Sequence, residues 1–151
     1  MGIELNENAD HVAKAFVSAR HEARALPVYP GVAPHDLGAA YVIQDRAISV
    51  DGREVAGWKV GRINSPRDGQ LGANRLSGPI FADSIVDAAA GDEPQMPVFV
   101  GGFAAAEAEM LLHVAPGFAG PVPTDDAGTI AILDDVRLGI EIASSPYPGI
   151  N

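Results

Sequence analysis

Two glutamates two positions apart, Glu107 and Glu109, stand in the run Phe103 to Val114 (FAAAEAEMLLHV), and a third carboxylate, Glu141, stands among apolar residues in Leu138-Gly139-Ile140-Glu141-Ile142. On an extended strand, side chains at i and i+2 leave the same face about 7 Å apart. On a helix they diverge by roughly 200° and cannot share a ligand. Local propensity pulls toward helix, because Ala, Glu, Met and Leu all favour it; a strand here requires tertiary context to win. Glu141, in a strand-like apolar run, carries a high desolvation cost unless it is paired or bound to a cation. Three carboxylates meeting with open positions make a hard-oxygen site, suited to Mg²⁺ or Mn²⁺ and not to zinc or copper. The same residues also suit a half-solvated strand whose glutamates face water, and spacing alone leaves both readings open.

Lys59 is the other residue with chemical promise. It lies in Gly57-Trp58-Lys59-Val60-Gly61, where apolar neighbours could desolvate the ammonium and lower its pKa toward acid-base work. The plainer alternative is a lysine snorkelling from a surface strand. His11, His21, His35 and His113 have no metal-ligand spacing. On a strand His113 shares the face of the glutamate pair but lies too far along to reach the same ion, so it is expected to be structural. Gly101-Gly102 reads as a bulge or the lead-in to a strand, since no lysine or helix start follows to hold a phosphate. No serine sits in a nucleophile-elbow pattern. The absence of cysteine excludes disulfides, zinc-thiolate and iron-sulfur sites and thiol nucleophiles.

The elements that must position these residues follow from periodicity. Asn8 to Ala25 reads as an amphipathic helix with Val12, Ala15, Phe16 and Ala19 at helical spacing, ended by Pro27 and Pro30. A second helix is expected from Asp36, as N-cap, to about Ser49, with Leu37, Ala40, Tyr41, Gln44 and Ile48 on one stripe. Asp51-Gly52 is a turn signal. Candidate strands are Val55 to Val60, Ile80 to Val86, Val98 to Val100, Ala106 to Val114 and Val136 to Ala143. Thr124 to Leu133 reads as an inserted helix capped by Thr124 or Asp125. The fold class is therefore α+β, with an N-terminal helical segment, residues 1–50, before a mixed β-rich body, residues 51–151.

Composition bounds the partners. The 151 residues suffice for one domain with a hydrophobic core, and 29 Gly and Pro favour many short elements over a helical bundle. A net charge of −10 opposes nucleic acid and anionic lipid. An acidic chain can still take an anionic substrate if a metal ion or a local cation supplies the positive charge. Gly2 to Asp10 is polar and no stretch approaches ~18 consecutive apolar residues, so neither a signal peptide nor a membrane span is expected, and a cytoplasmic location is the default.

Five motifs in order resemble the 2-keto-4-pentenoate hydratase group of the fumarylacetoacetate-hydrolase superfamily. Tyr41-Val42-Ile43-Gln44 is similar to its Tyr-x-x-Gln helix, and Gly57 to Gly61 to its Gly-x-Lys-x-Gly strand. Leu71-Gly72 with Gly78-Pro79-Ile80-Phe81-Ala82-Asp83 resembles the stretch that follows. Glu107-Ala108-Glu109 and Gly139-Ile140-Glu141-Ile142 resemble its metal-binding segments. The resemblance spans about Ala9 to Ser145. It implies a metal-dependent lyase of aromatic catabolism that adds water to a 2-hydroxy-2,4-dienoate to give a 4-hydroxy-2-oxo acid. Mg²⁺ or Mn²⁺ would be held by Glu107, Glu109 and Glu141, with Lys59 near the substrate as the catalytic residue. It further implies a 2-keto acid substrate and a homo-oligomer. Tyr41 and Gln44 are expected to pack.

Related activities on the same triad are 2-oxo-3-enedioate decarboxylation and acylpyruvate hydrolysis. The chain departs from the pattern where Leu71 to Gly78 carries no carboxylate, and where Ser144-Ser145-Pro146 replaces the usual Ser-Arg. Relatives continue beyond the position of Asn151, so the fold is expected to be incomplete at its C-terminus. These departures keep open a partner subunit with no chemistry of its own, and a β-rich binding domain without metal.

Overall fold

A computed structural model describes the backbone from Gly2 to Gly149 and the side chains from Asn6. The elements run α1 (Gly2–His21), α2 (Leu37–Asp51), β1 (Val55–Arg62), α3 (Arg67–Leu71), β2 (Arg75–Phe81), β3 (Phe103–Val114), α4 (Asp126–Ala131) and β4 (Leu133–Ser145), with one 3-10 turn at Ala82–Ser84. The mixed α+β class expected from the sequence is what the chain adopts. It divides into two compact units, Met1–Phe103 with Ser145–Asn151, and Ala104–Ser144. This division follows packing, whereas the sequence partition at residue 50 follows element type.

In the first unit the core sits along α1. Ala9, Val12, Ala13 and Val17 are buried at i, i+3, i+4 and i+8, which is one helical face. The helix closes earlier than Ala25. Ala23 takes the left-handed conformation at φ 50, while Ala23 N donates to Arg20 O (3.2 Å) and Arg24 N to Ala19 O (2.8 Å). That pair of bonds is the Schellman closure, here built on alanine where glycine is usual. Asn8 then fixes the following loop, its side chain accepting from Val32 N and donating to Val32 O, each at 3.0 Å.

Helix α2 starts where the sequence expects. Asp36 caps it, accepting from Ala39 N at 2.7 Å, and Gly52 ends it at φ 72 with its N–H bonded to Ile48 O. The turn signal at Asp51-Gly52 is thus the C-cap of α2. Replacing Asp36 by Ala is expected to cost about 1 kcal/mol, read as a lower urea midpoint at unchanged slope. An ion pair between Arg46 and Asp10 (3.2 Å) ties α2 to α1.

Strands β1 and β2 form an antiparallel pair with Lys59 opposite Gly78 and Trp58 opposite Pro79. The expected strand at Ile80 to Val86 is displaced toward the N-terminus, to Arg75–Phe81. Pro79 lies inside β2, where a two-stranded sheet leaves each strand one open edge and a proline without an N–H is tolerated. Beyond Phe81 the chain turns at once, with Ser84 Oγ donating to Phe81 O at 2.7 Å. Tyr41 and Gln44 pack as expected: Gln44 Nε2 donates to Ser77 O and Ser77 N donates to the Tyr41 hydroxyl, each at 3.1 Å, so α2 and β2 are cross-pinned. The short helix α3 was not expected from the sequence, and the expected strand Val98 to Val100 does not form. Pro97 and the Gly101-Gly102 pair bracket those three residues, and no strand lies beside them to complete a ladder.

The second unit is a ribbon of β3 and β4 joined through α4. Ala115 N donates to Ile132 O at 2.8 Å near the tip, while Glu107 and Glu109, early in β3, meet Glu141, late in β4; the strands therefore run antiparallel. Both strands extend past the expected Ala106 to Val114 and Val136 to Ala143. Helix α4 is shorter than expected, and of its two candidate caps Asp125 is the one used, accepting from Gly128 N at 2.7 Å. No helix among the described residues is long and apolar enough to cross a membrane.

Candidate metal centre

The strand reading of Phe103 to Val114 determines what the glutamates can do. Because β3 is extended, Glu107 and Glu109 leave one face, and β4 brings Glu141 to them. One carboxylate oxygen from each lies within 4.8 Å of the other two. Glu107 is exposed, and Glu109 and Glu141 are half-buried. Two oxygens bound to one Mg²⁺ can be no more than about 4.2 Å apart, twice a ~2.1 Å bond. The three carboxylate oxygens lie within 4.8 Å of one another, which is of the order of the separations such an ion requires. The donor set is all oxygen and anionic, which fits a hard divalent cation.

The apolar wall of this site comes from Leu111 and Gly139. A side chain at Gly139 would collide with Leu111, whose side chain lies over that glycine. Leu111 follows Glu109 and Gly139 precedes Glu141 by two residues, so this contact borders the triad on the side toward the ribbon tip. Beyond it lies a second cluster, His113 with Asp134 and Asp135, whose nearest ligand atoms also fall within 4.8 Å. His113 and Asp134 approach to 3.4 Å. Asp135 is already served by a cation: Arg137 donates to it at 2.8 and 2.9 Å, and those bonds hold its carboxyl below the ordinary carboxylate range. His113 is thus separate from the triad, as its spacing predicts. Sequence reasoning missed its grouping with Asp134 and Asp135, which lie 21 and 22 positions away at the start of β4.

Lys59 stands on β1, in the first unit. Along β1 exposure alternates, and Lys59 shares the half-buried face with Val55, Gly57 and Gly61. Trp58 and Val60 leave the opposite face and are 54% and 60% exposed. They do not desolvate Lys59, contrary to the expectation from sequence adjacency, because successive strand residues point to opposite sides. Its cross-strand neighbour is Gly78, which presents no side chain against it.

A side chain at Gly102 would collide with the Ser145 carbonyl, so the chain just before β3 runs close to the end of β4. Leu26 N donates to Pro146 O at 2.8 Å and Pro146 is fully buried, which anchors the returning chain.

Comparison of the chain with protein-family models, curated proteins and solved structures finds no match.

Proposed function

We propose that the chain is a lyase of the 2-keto acid hydratase type, adding water to a 2-hydroxy-2,4-dienoate with Mg²⁺ or Mn²⁺ held by Glu107, Glu109 and Glu141. The observation that carries this reading is the convergence of those three carboxylates within 4.8 Å. The five ordered motifs supply the reaction class. When bound, the cation would offer Lewis-acid stabilisation to the enolate form of a 2-oxo acid. The chain's own part is then to hold the ion with three carboxylates while leaving positions for the substrate's oxygens, and to keep Leu111 as an apolar border. Lys59 is assigned proton transfer, or the holding of an anionic substrate oxygen, through its ammonium. Through such a cation a chain with a net charge of −10 can take an anionic substrate.

A second reading, a partner subunit without chemistry of its own, is favoured by one specific feature. Leu71 to Gly78 carries no carboxylate, and the one hydrogen bond that ties Asn74 to Ile63 runs from Ile63 N to the Asn74 backbone carbonyl. The two readings separate in one assay. Purified protein is given Mg²⁺ or Mn²⁺ and 2-hydroxy-2,4-pentadienoate, and the loss of dienol absorbance is followed. The lyase reading expects metal-dependent conversion to the 4-hydroxy-2-oxo acid, lost in Glu141→Gln and reduced at least tenfold in Lys59→Met. Metal binding without turnover supports the partner reading. Absence of both binding and turnover rejects the site.

A further inference from the structure

Charge is spread unevenly along this acidic chain. Between Val55 and Ala82 stand four cations, Lys59, Arg62, Arg67 and Arg75, and one carboxylate, Asp68, a net of +3 in a chain whose total is −10. The stretch is the β1–β2 pair with α3 in its connection. Asp68 is turned to its own helix, accepting from Gly69 N at 2.7 Å.

At the connected end of the pair Arg62 lies directly opposite Arg75, and both are exposed. Opposite residues of an antiparallel pair leave the same face with their Cβ atoms about 4.5–5.5 Å apart, and like charges there disfavour the pairing. Elsewhere arginine is matched with acid: Arg24 with Glu22, Arg46 with Asp10, Arg53 with Asp51 and Arg137 with Asp135. Among the described residues no carboxylate pairs with Arg62 or Arg75, and Arg75 donates only to a backbone carbonyl, Asn74 O, at 2.9 Å. Alternation puts Val60 and Trp58 on the same face as Arg62. The Trp58 indole is 54% exposed and stands opposite Pro79.

We propose that this face binds a phosphomonoester carried on a planar ring, the chemistry of a nucleoside monophosphate, with the phosphate between Arg62 and Arg75 and the ring on Trp58. Guanidinium forks match phosphate oxygens in bidentate pairs. Two facing forks neutralise a phosphate dianion, whereas a single carboxylate leaves one of them unmatched. The exposed indole is a flat platform on which a ring stacks. Trp58 and Arg62 are about 13 Å apart along the strand, a span that a ring and a phosphate joined through a sugar bridge once the long arginine side chains lean along β1. None of these residues belongs to the carboxylate triad.

Trp58 is the chain's single tryptophan, so its fluorescence reports on this face alone. Titration of the full chain, without divalent metal, with adenosine 5′-phosphate is expected to quench it saturably. Adenosine and ribose 5-phosphate, each with half of the ligand, are expected to bind about tenfold more weakly or worse. Arg62→Gln and Arg75→Gln are each expected to weaken the nucleotide by about tenfold or more. Lys14→Gln, which removes the same charge from an exposed position on α1, is expected to leave it unchanged. A further measurement needs no variant: excess inorganic phosphate is expected to restore the fluorescence, and acetate at the same ionic strength is not. No saturable quench, equal weakening in Lys14→Gln, adenosine binding as tightly as its phosphate, or equal displacement by acetate overturns the proposal. A single-stranded oligonucleotide that binds more than about tenfold tighter than the monophosphate overturns it in favour of a nucleic acid. None of these outcomes depends on whether the triad binds metal.

Discussion

Replacing Glu109 is expected to weaken Mn²⁺ binding by about 100-fold or more, beyond the 10–100-fold that loss of a mere supporting group around a metal costs. Glu109→Gln keeps the shape of the side chain and drops its charge, so it removes one of the three carboxylates that lie within 4.8 Å of one another. At metal concentrations near 100 times the wild-type Kd, the wild type gains about 2.7 kcal/mol and the variant almost none. Thermal melts of both proteins with and without Mn²⁺ read the difference, and a variant that Mn²⁺ stabilises as much as the wild type contradicts the site.

The largest expected loss of stability comes from Arg53→Ala. The Arg53 guanidinium bonds both oxygens of Asp51, at 2.6 and 2.9 Å, reaches Asp83 at 3.3 Å and lies 4.0 Å from the Phe81 ring centroid. It joins the end of α2 to the end of β2. The Asp51 side chain is only 3% exposed, so truncating Arg53 leaves a carboxylate with little water to solvate it. His21, 3.6 Å from Asp51, offers partial relief. A loss of about 3 kcal/mol is expected, or roughly 6–12 °C in Tm for a chain of this size. Hydrogen bonds from Arg53 hold the Asp51 carboxyl below its ordinary value, against the desolvation that raises it. A depressed carboxyl pKa adds stability that is full above the unfolded value and is lost as pH falls through the folded one. The gap between wild type and Arg53→Ala should thus be constant near neutral pH and shrink below about pH 4. A gap that persists unchanged at pH 2.5 would place its origin in packing against Phe81.

The grouping of Glu107, Glu109 and Glu141 was legible in the sequence where residue chemistry outweighed local propensity. FAAAEAEMLL favours helix, yet a shared ligand for Glu107 and Glu109 requires a strand, and β3 is a strand. Asp36 was legible as a cap because its side chain competes for N–H groups wherever a helix begins. Other features depend on partners far along the chain. The strand expected from Ile80 to Val86 forms instead at Arg75–Phe81, where β1 lies beside it. Trp58 and Val60 look like a desolvating shell for Lys59 only until alternation sends them to the other side. His113 meets Asp134 only because α4 and its flanking loops return the chain at one register. Val98 to Val100 has the composition of a strand but no neighbour to pair with.

The most direct measurement is the position of the ion. In crystals grown with Mn²⁺, the anomalous difference map is expected to show one peak bonded to carboxylate oxygens of Glu107, Glu109 and Glu141 together, at about 2.1–2.2 Å. A peak on His113, Asp134 and Asp135 with the triad empty, or no peak at saturating Mn²⁺, would contradict the account.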